Sequence, residues 1–432
     1  MLFKNIAYLD ASSQVQENMD VGVRGNSIAY VGPSAPEEDW WEIYDGKGKL
    51  LIPGLYNLHA HSPMTLLRDY AEGLPLQDWL QKKIFPFEAL LTPEDVYYGY
   101  LLGIAEMVRF GTVSSTDMYF FGESLAKAVV DSGFKSNICI SPLVFDEREY
   151  HELPVYQETV DLHRNFHLAG DGRLRVDLSL HAEYTSTPKV VAAVAEQCKD
   201  LGLHMHLHLS ETRLEHEECK ARREGRTPAR YFADLGIFDS PTTAAHCVWV
   251  EEADLDIMAE KGVTIAANPI SNLKLASGIC PIPMAMSKGV NIGLGTDSVA
   301  SNNNLNLFEE LKLHAILHKG ITGDSTLISP AQAFACVTAN GARAQGRSEE
   351  CRGIVPGSRG DLAVLHRTEP HHYPGHNPLY NLVYAACGSD VCLTMVDGRI
   401  LYRDGQWPTL DMERILAQTE KTKSRILNAL SL

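Results

Sequence analysis

His59 and His61 close the run Leu51-Ile52-Pro53-Gly54-Leu55-Tyr56-Asn57-Leu58-His59-Ala60-His61, and their i, i+2 spacing carries the first chemical statement in the chain. Alternate side chains of a β-strand share a face, so two histidines spaced this way can grip one metal ion. His208-Leu209-Ser210-Glu211 and Gly295-Thr296-Asp297 supply the remaining ligand types. Three imidazoles and one carboxylate without a thiolate suit Zn²⁺, with Fe²⁺ or Mn²⁺ as alternatives. The position left open would take water, whose ionisation such a metal brings near neutral pH.

The run Leu203-His204-Met205-His206-Leu207-His208-Leu209 alternates strictly, so its three histidines face one side of a strand. Only one can reach a metal at the strand end. His208 is nearest that end and is followed by Glu211, which makes it the ligand. His204 and His206 are expected lower in the interior as hydrogen-bonded core residues.

These residues need a scaffold that brings distant segments to one rim. Thr92-Pro93-Glu94-Asp95 combines an N-cap threonine, proline at the first helical position and acids in the first turn. The helix it opens runs to Phe110, before Gly111, and the strand Thr112-Val113-Ser114-Ser115-Thr116-Asp117 follows at once. Continued along the chain, the same alternation places strands ending near His61, Asp117, Ser141, His181, His208, His246, Asn268 and Asp297. Strands alternating with helices in this way predict a parallel (β/α)₈ barrel, with its active site at the C-terminal strand ends. All of these ends are polar, as a catalytic rim requires.

Both ends of the chain read differently. Phe3-Lys4-Asn5-Ile6-Ala7-Tyr8 and Ser27-Ile28-Ala29-Tyr30-Val31 are short alternating strands between turns, as are Asp361-Leu362-Ala363-Val364-Leu365 and the run from Val391 to Tyr402. The last contains Asp397-Gly398, a strong hairpin signal. The expected organisation is a small β-sandwich domain built from 1–54 and 346–432, around a catalytic barrel over 55–345.

The chain has 432 residues and a net charge of −17. Its field repels polyanions, which argues against nucleic acid and anionic membranes as partners. The N-terminus lacks the apolar segment of a signal peptide, and no stretch approaches the ~20 apolar residues of a membrane span. A cytoplasmic location is expected. The nine cysteines are scattered, with no C-x-x-C pair, and read as reduced thiols. Zinc deaminases that bind metal through P-C-x-x-C are thereby excluded. The charged stretch from Glu211 to Arg230 reads as a solvated loop and helix. Pro370-His371-His372-Tyr373-Pro374-Gly375-His376-Asn377-Pro378 reads as an irregular loop, since no carboxylate or cysteine stands among its histidines.

Taken in order, His59-Ala60-His61, His208-Leu209-Ser210-Glu211, Ala245-His246-Cys247, Asn268-Pro269-Ile270-Ser271-Asn272-Leu273-Lys274-Leu275 and Gly295-Thr296-Asp297-Ser298-Val299-Ala300-Ser301-Asn302-Asn303 resemble the amidohydrolase superfamily. Pro63-Met64-Thr65-Leu66-Leu67-Arg68 and the segment from Trp79 to Glu88 are similar to its 5′-methylthioadenosine/S-adenosylhomocysteine deaminase branch. The resemblance implies that His59, His61, His208 and Asp297 bind one divalent metal. It implies that Asp297 accepts the proton of the attacking water, Glu211 protonates the ring nitrogen beside the reacting carbon, and His246 steadies the developing oxyanion. Attack at purine C6 would then release ammonia. In binuclear relatives the sixth-strand histidine is itself a ligand and a modified lysine bridges two metals. Here His181, and no lysine, stands at the fourth strand end, which favours one metal.

Positions matching Trp79, Glu88, His181 and Ser301 line the nucleoside pocket of such deaminases. A carboxylate such as Glu88 suits paired ribose hydroxyls, and His181 suits a ring nitrogen. The plain alternatives are that Glu88 is an exposed loop acid and Trp79 is packing. Relatives that accept homocysteine pair its carboxylate with arginines around the third strand. Here Asp146-Glu147-Arg148-Glu149-Tyr150-His151-Glu152 offers only Arg148, among acids. That departure favours 5′-methylthioadenosine, 5′-deoxyadenosine or adenosine over S-adenosylhomocysteine. The resemblance also implies homo-oligomers, although no interface is legible. The rival readings are an amidohydrolase acting on guanine, another aminated heterocycle or a chlorinated triazine, and a catalytically silent barrel scaffold.

Overall fold

The computed structural model describes residues 1–74 and 76–430. Its centre is a ring of parallel strands, Leu55–Ala60, Thr112–Met118, Lys135–Cys139, a fourth in two pieces (Leu174–Val176 and Leu178–Leu180), Met205–Leu209, Thr242–His246, Thr264–Ala267 and Asn291–Leu294. Each ends within three residues of the polar position expected from the sequence. The fourth strand is broken at Asp177, where it changes partner. Asp177 N donates to Ile138 O at 3.0 Å, and Leu178 N donates to His204 O at 2.9 Å. The ring closes between the eighth strand and the first, where Asp297 N donates to His59 O at 2.8 Å beside a parallel bridge from Ala60 to Asp297.

Almost every residue of these strands is buried, as expected when helices cover a parallel sheet outside and side chains fill it inside. The helix Pro93–Arg109 shows how local sequence sets one cover element. Thr92 Oγ1 accepts from Asp95 N, and Asp95 Oδ2 accepts from Thr92 N at 2.7 Å, a reciprocal cap that ends the loop and starts the helix. Gly111, with φ of 82°, then turns the chain into the second strand.

The two chain ends meet in one eight-stranded sheet. Lys49–Pro53 is the joint, parallel to Leu2–Leu9 on one side and antiparallel to Leu362–His366 on the other. Phe3, Ile6, Val21, Leu51, Val364 and Leu393 share a core distinct from the barrel's. Asp397 and Gly398, at φ of 47° and 74°, make the hairpin turn their sequence predicts. Lys49–Pro53 then passes into the first barrel strand through Gly54 alone. A Cβ on Gly54 would lie 2.2 Å from Val113 Cγ1, so only glycine fits.

Sheet and barrel are also locked electrostatically. Lys135 on the third barrel strand lies 2.8 Å from Glu350, 2.5 Å from Asp361 and 2.8 Å from Asp397. The final helix, Met412–Leu430, leaves the sheet and returns to the barrel, where Thr422 Oγ1 and Arg425 Nη2 each donate to Asp95 at 2.5 Å. All nine cysteines are free thiols. Among the described residues, no helix is long and apolar enough to cross a membrane.

Candidate metal centre and active site

The first strand carries His59 and is followed at once by His61, the fifth carries His208, and Asp297 follows the eighth. Their facing atoms converge: His61 Nε2 is 3.3 Å from His208 Nε2, and Asp297 Oδ1 is 3.4 Å from both His59 Nε2 and His61 Nε2. Hydrogen bonds behind the rings set their tautomers. His61 Nδ1–H donates to Met118 O at 2.6 Å, and His208 Nδ1–H donates to His181 O at 2.7 Å. A carbonyl can only accept, so both Nε2 atoms present lone pairs inward. Burial drives the pKa of both rings below the ordinary histidine value, and that of His59 to about 3, so all three are neutral. Two lone pairs facing each other at 3.3 Å, with His59 Nε2 buried and unpartnered beside a carboxylate, fit a divalent cation. His206 stands behind the centre, its Nε2 2.8 Å from His59 Nδ1, and His204 lies lower, its Nδ1 3.1 Å from Ala344 O.

Asp297 is held by its other oxygen. Oδ2 accepts from Ser271 Oγ at 2.5 Å and from Ser301 Oγ at 2.9 Å. Burial would raise this carboxyl, but the imidazoles of His59, His246 and His61 that face it outweigh burial, and the net shift is well below the usual range. His246 Nδ1–H donates to Asn272 Oδ1 at 2.8 Å, which turns Nε2 toward Glu211 Oε2, 3.8 Å away. For His246 burial acts downward, and the charges of Glu211 and Asp297 reverse it to a net rise.

Glu211 is clamped by a residue whose role its sequence position did not announce. Glu215 accepts from Glu211 N at 2.8 Å and from Ser210 N at 3.0 Å, fixing the turn after the fifth strand. Burial raises the Glu211 carboxyl, the direction a proton donor at neutral pH needs, and lifts Glu215 to about 7. The i+4 spacing from Glu211 was the one available signal for Glu215. The turns themselves are unusual: Ser210, His246, Cys247 and Asp297 all have positive φ, between 48° and 71°. Such left-handed backbone at non-glycine residues is costly and concentrates at functional sites.

These groups floor a cavity of about 450 Å³. Its roof is the segment Leu76–Glu88, whose middle turn, Leu80–Ile84, is wound as a π-helix. Trp79 is buried in that roof, with Nε1 donating to Ala71 O at 3.3 Å, and it also faces the cavity. Glu88, His181 and Ser301 line the cavity as well. Glu88 accepts from Tyr119 OH at 2.7 Å, and burial lifts its carboxyl to about 7. Burial lowers His181 to about 4. Arg148 lies outside, half exposed, with Nε 2.9 Å from Asp146 Oδ2, on a neighbouring groove that shares Phe85, Phe120 and Leu143 with the cavity.

Residues 50–401 match the amidohydrolase family. The chain belongs to that family. This amidohydrolase is 43 % identical over 409 residues to a 5-methylthioadenosine/S-adenosylhomocysteine deaminase of Dictyoglomus thermophilum, covering 94 % of this chain and 95 % of that one. It is 40 % identical over 411 residues to a 5′-deoxyadenosine deaminase of Methanocaldococcus jannaschii, covering 94 % and 96 %. Among solved structures, an adenosine deaminase from Xanthomonas campestris with bound zinc superposes with a TM-score of 0.93 at 30 % identity, covering 99 % of this amidohydrolase and 98 % of that chain.

Proposed function

We propose that this amidohydrolase hydrolyses the 6-amino group of an adenine nucleoside, giving the inosine analogue and ammonia. The observation that carries the reading is the sharing of one cavity by Glu211, His246 and Asp297 on its floor and by Glu88, braced by Tyr119, on its wall. The floor serves deamination of an aromatic amine, and the wall serves paired hydroxyls. The names of the relatives above, all nucleoside deaminases, support the same substrate class.

His59, His61, His208 and Asp297 would hold one divalent ion, zinc first, which when bound supplies the Lewis acid that activates water. The remaining steps belong to this chain's own residues. As water adds to purine C6, Asp297 takes its proton, and Ser271 and Ser301 keep the carboxylate aimed. Glu211 gives its proton to N1, so that the ring accepts electrons without building an anion. His246, fixed by Asn272, hydrogen-bonds the oxygen as charge develops on it. The tetrahedral carbon then expels ammonia, which takes the proton held by Asp297; N1 keeps its proton in the inosine analogue, and the hydroxyl proton, released as the C6 carbonyl forms, reloads Glu211.

At the other end of the substrate, Glu88 receives the ribose hydroxyls and His181 a ring nitrogen. The 5′ group leaves toward the groove formed by Phe85, Phe120 and Leu143. Among the described residues Arg148 is the only arginine lining that groove, and it is engaged by Asp146, so an amino-acid carboxylate finds no free clamp there. The preferred substrates are therefore 5′-methylthioadenosine, 5′-deoxyadenosine and adenosine, ahead of S-adenosylhomocysteine, taken as small molecules in the cytoplasm. The same reading assigns catalysis to 55–345 and the composite β domain to 1–54 with 346–432, the last two positions lying outside the described residues.

Ammonia release and loss of adenine absorbance by zinc-loaded enzyme test the proposal, with these four nucleosides and guanine offered side by side. Turnover of the nucleosides in the stated order is expected. Silence on all four with activity on guanine would transfer the protein to the base deaminases and void the ribose contacts.

A further inference from the structure

The loop between strands Leu362–His366 and Val391–Val396 carries His371 and His372, with no carboxylate between Pro370 and Pro378. The fold supplies one from the far end of that excursion. Asp390 Oδ2 lies 2.9 Å from His371 Nε2 and 3.2 Å from His372 Nε2, and the two rings sit 4.2 Å apart. None of the three residues belongs to the catalytic cavity.

The hydrogen bonds decide what these atoms present. Asn381 Nδ2 donates to His371 O at 3.2 Å, so its Oδ1 is the atom that faces His372 Nδ1, at 2.5 Å. The proton of a neutral His372 ring must then sit on Nδ1. Its Nε2 is left as a lone pair aimed at a carboxylate oxygen, with only 5 % of the side chain exposed and no hydrogen-bond partner. Asp390 Oδ2 already accepts from Cys387 N at 2.8 Å, so it cannot turn away without breaking that turn. Two acceptors buried against each other repel unless a cation lies between them. Tetrahedral coordination by imidazole and carboxylate at about 2.0–2.1 Å puts neighbouring ligand atoms roughly 3.3 Å apart, close to the separations found here.

We propose that His371 Nε2, His372 Nε2 and Asp390 Oδ2 form a second metal site, for a divalent first-row ion of the zinc class. It ties the start of the excursion to its end, where the turn Gly388–Asp390 leads into the strand Val391–Val396. Its role is structural, closing a long loop between two inner strands of the chain-end sheet. His371, 39 % exposed at its side chain, leaves room at the mouth for water or a further ligand.

The test uses the full chain, stripped with chelator and dialysed against Zn²⁺, with bound metal counted per chain and nucleoside turnover followed in parallel. Wild type is expected to hold two ions and His371→Ala one. The variant keeps its turnover, and its second-site affinity falls by about 100-fold or more, since losing even a partner of a ligand costs about 10–100-fold. The thermal midpoint should rise with the second equivalent of Zn²⁺ in wild type only. One ion per wild-type chain, or two in His371→Ala, would overturn the proposal. So would nitrogen NMR showing His372 as an imidazolium that ignores Zn²⁺, because a doubly protonated ring satisfies the same contacts.

Discussion

Replacing Lys135 with methionine keeps the stem of the side chain and removes its charge from a site where only 1 % of it is exposed. The three carboxylates around it lose unequally. Glu350 keeps Arg347 at 3.2 Å and Arg175 at 3.4 Å, and Asp397 keeps Arg173 and Arg359, both at 3.9 Å. Among the described residues Asp361 keeps only the backbone N–H of Asp397, at 2.8 Å. The cost therefore concentrates on Asp361, and breaking a buried pair in this way takes about 3–5 kcal/mol. Its pH dependence has a fixed sign. Burial already raises the Asp361 carboxyl, with Lys135 pulling it down, so the variant raises it further above the unfolded value of about 3.9. The destabilisation is full above that folded pKa and fades as the pH falls through it and Asp361 protonates. Equilibrium urea unfolding by tryptophan fluorescence, at pH 8 and pH 5, measures both effects. Lys135→Met/Asp361→Asn should recover about 2–3 kcal/mol of the single variant's loss, as expected for groups in direct contact. A single variant within about 1 kcal/mol of wild type, where the buried-pair cost is about 3–5, would refute the argument. A double variant no more stable than Lys135→Met would refute it as well.

Two predictions concern the cavity. Glu211→Gln preserves shape and metal content and lowers kcat by about 10²–10⁴, the usual worth of a positioned proton donor; kcat within about threefold of wild type would remove Glu211 from that role. Tyr119→Phe strips the donor from Glu88 and should raise KM for nucleosides about 5–10-fold with kcat little changed, the worth of one ordinary hydrogen bond. Because the Glu88 carboxyl sits at about 7 and the Tyr119 hydroxyl pulls it down, its charged form prevails above that pH. KM should rise as the pH drops through 7 in wild type, and from a higher pH in the variant. An unchanged pH profile would separate Glu88 from the substrate.

What was legible in the chain was periodic or local. Alternation in Leu203–Leu209 ordered His204, His206 and His208 by depth, and the structure keeps that order, with His204 lowest and His206 behind His59. The cap at Thr92 marked a helix start because the reciprocal bonds lie within four residues. What was not legible depends on distant partners. Glu215 reads as one more acid on a solvated helix until the turn above it brings Ser210 N and Glu211 N onto its carboxylate. Arg222 and Arg223 in the same charged stretch cover the buried Glu183, which nothing nearby in the sequence announces. Positive φ at His246 and Asp297 has no glycine to betray it. It is imposed by the rim, where the backbone must leave each strand and still aim its side chain inward.

The passage from Lys49–Pro53 to Leu55–Ala60 has a mechanical consequence. The strand that ends in His59 is one rigid rod with the strand that holds the chain-end sheet together, pinned at Gly54, whose N–H bonds Asp361 O at 2.9 Å. There is no slack between them to absorb a shift. A lesion in the peripheral sheet is therefore expected to reach His59 and His61 along the rod, so that a substitution far from the cavity would register as a change at its rim. For anyone recombining this protein, the sheet and the barrel travel as one part, and a cut at residue 54 would sever the axle.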